Sequence, residues 1–100
     1  MNAGMATAIE ARVTRSLSGA VPEIERVLVY REGDALVVFS VVADEDEDTL
    51  DRIYAVERAL MHEFNAEHFD FNVISRRGRA MSDILESLAP VLQCRVPTSI

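Results

Sequence analysis

The nine residues from Ala35 to Ala43, Ala-Leu-Val-Val-Phe-Ser-Val-Val-Ala, are almost wholly apolar, and at Asp44 they give way to the unbroken acidic run Asp44-Glu45-Asp46-Glu47-Asp48. An apolar run this short and this rich in β-branched side chains reads as a strand buried on both faces, and hence as the central strand of a sheet. The segment before it, Ile24 to Arg31, is also rich in β-branched and aromatic residues. Between the two stands Glu32-Gly33-Asp34, a glycine-centred turn of hairpin length. The pattern predicts an antiparallel hairpin.

The rest of the chain supplies cover for that hairpin. From Met5 to Ser18, Ile9, Val13 and Leu17 recur four residues apart, which predicts an amphipathic helix stopped by Gly19 and kept from resuming by Pro22. From Thr49 to Ala66, Leu50, Ile53, Leu60 and Phe64 form a second stripe, flanked by Val56 and Met61. Asp48 or Thr49 is placed to cap this helix, and the acidic run meets its positive dipole end. Phe69 to Ser75 alternates apolar and polar residues as a half-buried strand does. Arg76-Arg77-Gly78-Arg79 turns the chain, and Ser82-Asp83 opens a short helix through about Ala89 that Pro90 closes, leaving an irregular tail over 90–100.

The order α-β-β-α-β-α predicts an α+β two-layer sandwich of ferredoxin-like or KH-like type. Its three-stranded mixed sheet is the hairpin plus a parallel third strand reached by a right-handed crossover, with the two long helices on one face. The 100 residues make a single domain with its core at about 5–89. Apolar side chains point to both faces of such a sheet. The face opposite the long helices is then covered by the C-terminal helix or by a second copy of the chain, and we expect a homodimer formed through the sheet.

Ten arginines and no lysine oppose seventeen acids, for a net charge of −7 and a pI near 4.7. A surface of that sign repels phosphate backbones and anionic lipid, so no nucleic-acid or membrane partner is expected. No apolar stretch approaches the roughly 20 residues of a membrane-spanning helix. The N-terminus lacks a basic segment followed by an apolar one, and the single cysteine, Cys94, has no partner for an internal disulfide. The expected location is cytoplasmic.

Few residues carry recognisable chemistry. A parallel pairing of strands 2 and 3 would bring the acidic run after the one (Asp44, Asp46, Asp48) beside the arginines after the other (Arg76, Arg77, Arg79), at the sheet edge where α/β folds often hold ligands. The arginines suit an anionic ligand or a protein partner through their guanidinium forks. The plainer reading is a solvated ion-pair network of the kind that adds little to stability. A calcium loop beginning at Asp44 would need glycine at Thr49 and glutamate at Ala55, and has neither. His62 and His68, with neighbouring carboxylates, carry the alternative of a divalent-metal site, although their spacing matches no ligand signature. No nucleophile-and-base pair and no phosphate-cradling glycine loop is present, so the catalytic set is empty and no cofactor is expected apart from that metal.

The first helix, the Val21-Pro22-Glu23-Ile24-Glu25-Arg26-Val27 entry to the hairpin, the acidic start of the long helix, and Phe64 with Phe69-Asp70-Phe71-Asn72-Val73 together resemble the cytoplasmic C-terminal domain of cation diffusion facilitator transporters. The resemblance spans roughly 6–75. It implies that fold, dimerisation and, as an alternative function, a metal-responsive regulatory role. The histidine at the start of the long helix is missing, and Asn72-Val73-Ile74-Ser75 stands in place of that family's closing His-Val-Glu-Pro-like motif, so no ligand residue carries over. The order also resembles a type II KH-like module. The long helix lacks that module's small-residue kink, and the charge has the wrong sign for RNA. The function expected is that of a small acidic binding or protein-interaction module.

Overall fold

A computed structural model of the protein describes residues 2–95, with side chains over 8–88. Its elements are α1 (Asn2–Ala20), β1 (Ile24–Glu32), β2 (Ala35–Val42), α2 (Glu47–Glu63), β3 (His68–Ser75) and α3 (Met81–Arg95). β2 is central, antiparallel to β1 and parallel to β3. The α+β fold, its order and its mixed sheet are those expected.

The hairpin closes through Gly33 and Asp34, and Gly33 takes φ of 63°, as a two-residue hairpin turn with glycine first requires. The register pairs Val29 with Val38 and Leu28 with Phe39, and across β2 it pairs Val38 with Phe71 and Val41 with Ile74. Side chains alternate, so this register sorts the sheet into two faces. One face carries Val27 and Val29 of β1, Leu36, Val38 and Val42 of β2, and Phe69, Phe71 and Val73 of β3. It packs under Val13 and Leu17 of α1 and Ile53 and Leu60 of α2, which closes the main core. The other face carries Leu28, Phe39, Val41 and Ile74, and these meet Met81, Ile84 and Leu88 of α3. The long helices thus share one face, while the C-terminal helix supplies cover on the other. Of the two alternatives for that face, the chain uses its own helix, so the face through which a homodimer was expected to form is occupied by α3.

The boundaries of all three helices differ from the sequence pattern. α1 passes through Gly19 and ends only before Pro22, where Val21 N–H still donates to Leu17 O at 3.0 Å. α2 starts two residues early. Its cap is Asp46, in extended conformation, whose carboxylate accepts from Thr49 N–H at 2.8 Å and from the Thr49 hydroxyl at 3.0 Å. With that double anchor, Asp48 falls in the first turn, where its charge meets the helix dipole. At the other end, Phe64 N–H donates to Leu60 O and the backbone then leaves helical geometry. Finally, α3 continues through Pro90 to Arg95. An interior proline removes one helical hydrogen bond without forbidding the next turn, and Val91-Leu92-Gln93 holds no glycine to end it. Residues 96–100 of the expected tail, and the side chain of Cys94, lie outside the described residues.

Candidate functional site

The parallel pairing does bring the acidic and basic segments together. The ladder runs on past β2 and β3, with Arg76 N–H donating to Val42 O at 2.8 Å and Arg77 N–H to Ala43 O at 3.0 Å. The side chains then separate. Arg76 turns to β1, where its Nε and Nη2 donate to the Glu25 carboxylate at 2.6 and 3.1 Å. That charge-assisted fork lowers the Glu25 pKa and raises that of Arg76. Arg79 folds back on its own turn, its Nε donating to Arg76 O and its Nη2 to Ser75 O. Arg77, at φ of 51°, lies 3.7 Å from Glu45 and is 73% exposed. Arg76 and Arg79 therefore hold the β3–α3 turn, Arg76 ties it to β1, and Arg77 is the one turned most to solvent. Of the acids, Asp46 is committed to the α2 cap, while Asp44 and Asp48 stand exposed. Nearby, Arg52 donates both Nη groups to Glu23 at 2.9 and 2.8 Å, which lowers the Glu23 pKa.

His62 lies in the last turn of α2 and His68 opens β3, both exposed. Among the described residues, no three His, Cys, Asp or Glu side chains converge on a point that could hold a metal ion, and none of the helices is long and apolar enough to cross a membrane.

A different surface emerges on α2. Its buried positions Thr49, Ile53, Glu57 and Leu60 face the sheet. On the side toward α1 lie Val56, Arg52 and Glu63, with Glu63 accepting from Arg12 Nη2 at 2.9 Å. At 100° per residue, the other side carries Leu50, Tyr54, Glu57 and Met61. This flank overlooks β3, the outer strand of the sheet. Tyr54 and Met61 are 42% and 44% exposed, the two large apolar side chains found most open among the described residues. On the helix-facing side of β3, Phe69 and Phe71 stack with ring centroids 4.9 Å apart and remain half-buried.

Glu57 is the unexpected member of this flank. It is only 8% exposed, and burial alone pushes its carboxyl up to about 7. In the same layer, Ser40 of β2 is fully buried, and its hydroxyl has no hydrogen-bond partner among the described residues. Neither residue stood out in the sequence. The signal for Glu57 was its place in the 49-53-57-60 stripe, where every other member is buried; Ser40 breaks the apolar run of β2 on its helix-facing side.

No protein-family model and no curated protein matches the chain. Two solved structures show a similarity to the chain. The chain is similar to the MamM CTD in its copper form, at 17% identity and a TM-score of 0.49 over 75% of this chain and 90% of that one. It is also similar to a variant MamM CTD in a zinc form, at 15% identity and a TM-score of 0.45 over 78% and 93%. No residue role is carried across from them.

Proposed function

We propose that the protein is an interaction module that works as a homodimer, with the outer flank of α2 and the free edge of β3 as its contact surface. The observation that carries this reading is the coincidence of an open apolar flank with an unguarded strand edge. The two outer strands are guarded differently. β1 has a register irregularity between Ile24 and Arg26 and bears Glu25, Arg26, Arg31 and Glu32, features that discourage pairing. The centre of β3, Phe71-Asn72-Val73-Ile74, carries no charge and no bulge. A second copy related by a twofold axis would present the same strip, so the surface need only complement itself. α2 and β3 are each about 25 Å long, enough to supply the roughly 800 Å² per partner of a stable interface.

Sedimentation velocity across a wide concentration range tests this. The expected result is a species of twice 11.1 kDa that Tyr54→Asp and Met61→Asp each convert to a folded monomer. Both positions are exposed in the single chain, so neither change removes core packing. A monomer at every concentration, or a dimer indifferent to both substitutions, would overturn the proposal.

A further inference from the structure

Beside the middle of α1, where it nears the end of α2, lies a groove of about 670 Å³. Ala8 and Ile9 of α1 and Phe64 at the end of α2 give it apolar walls, and Arg12, Arg15 and Arg31 stand around it. The volume is in the range of small-ligand sites, and an apolar floor with a few convergent polar groups is their usual construction. Three of the ten arginines of a chain with net charge −7 therefore meet at one apolar concavity.

Two of these arginines are already oriented. Arg12 bonds Glu63 and lies 6.0 Å from the centroid of the Phe64 ring. Arg31 donates to both oxygens of Glu67, at 2.8 and 3.4 Å, which raises its pKa and holds it charged. These two pairs neutralise each other's charge. Arg15 has no carboxylate partner among the described residues. Glu10 adds to the field at Arg31 and shares a second, shallower cleft with Arg15, outside this groove. What remains is one open guanidinium fork beside an apolar floor.

We infer that this groove binds an amphiphilic anion, a ligand with one carboxylate or phosphate head at Arg15 and an acyl or aryl body lying over Ile9 and Phe64. The fork matches either head through paired charge-assisted hydrogen bonds. A cation would be repelled by the one guanidinium that no carboxylate neutralises, and a neutral chain would leave the Arg15 fork unused. The site is independent of the proposed dimer surface, which lies on the other flank of α2.

Calorimetric titration of the intact chain at neutral pH, below micellar concentrations, tests this with four probes: decanoate, decyl phosphate, decanol and decyltrimethylammonium. Saturable binding of decanoate or decyl phosphate at one per chain is expected, about tenfold or more tighter than decanol, with no binding of the cation. The tighter of the two anions identifies the head group. Arg15→Gln should weaken the anion about tenfold, bringing it to the level of decanol. Ala8→Glu, at an exposed helical position that tolerates glutamate, should abolish it. No saturable binding of either anion, equal binding of decanol and decanoate, or wild-type affinity in both variants would overturn the inference. The stoichiometry per chain reads out this site whatever the assembly state, so its failure is separable from failure of the dimer proposal.

Discussion

The two flanks of α2 are built from the same helix and the same sheet, yet one is closed by the chain itself and the other is left open. Toward α1, Val56 packs into the core while Arg52–Glu23 and Arg12–Glu63 tie the helix to its neighbours. Toward β3, Tyr54 and Met61 face solvent, the strand's own Phe69 and Phe71 are only half-buried, and Glu57 is sunk without an ion pair among the described residues. A flank closed by ion pairs at its rim needs nothing further. A flank that leaves apolar side chains and strand hydrogen-bonding groups unmatched has the composition of an interface core, where aromatic residues and methionine are enriched.

The largest effect should come from the layer that both flanks share. Ile53 is fully buried between the helices and the sheet, so Ile53→Ala should cost about 2–5 kcal/mol in denaturant unfolding, whichever flank is engaged. On the open flank, the pair Tyr54→Ala and Met61→Ala should raise the dimer dissociation constant by about 30-fold or more, equivalent to about 2 kcal/mol. Measured at dilutions where only monomer is present, the same pair should leave the unfolding midpoint nearly unchanged.

Glu57 sharpens the comparison through pH. Its folded-state pKa, about 7, is raised above the ordinary 4.5, so the folded chain favours the protonated form. The resulting contribution to stability is fully present below pH 4.5 and is lost as pH rises through about 7. Glu57→Gln should remove that dependence and stabilise the chain at pH 8 by about 1–3 kcal/mol, read from melts between pH 5 and 8. Glu23 and Glu25 have lowered pKa values and act with the opposite sign. Their contribution is present above 4.5 and lost as pH falls below it, so the two effects occupy different windows. The smallest change is expected on the closed flank, where Arg12→Gln removes an exposed ion pair and should shift stability by less than about 1 kcal/mol with no change in sedimentation.

Much of the fold was legible because it rests on local periodicity. The apolar run of β2 announced a central strand, Gly33 its hairpin, and the spacing of Ile9, Val13 and Leu17 a helix. The end of α3 was not legible, because Pro90 breaks a local rule without stopping the helix. The cap of α2 was misplaced within a run of five acids, since the choice among them rests on the reach of Asp46 to Thr49. The candidate edge was legible only as a juxtaposition. Parallel pairing set Asp44–Asp48 beside Arg76–Arg79, but the partner of Arg76 proved to be Glu25, 51 residues away, a contact that only the hairpin register creates. The open flank was harder still, because Met61 reads as a stripe residue until the position of α1 shows which side of α2 is closed.

The central claim is that the outer edge of β3 is shared between two chains. Hydrogen exchange of the backbone amides, measured at protein concentrations well above and well below the association midpoint, tests it most directly. The outward amides of His68–Ser75 and the last turns of α2 should gain protection with concentration, while the amides of Ile24–Glu32 stay as they are. Protection gained on β1 instead, or exchange on β3 that ignores concentration, would contradict it.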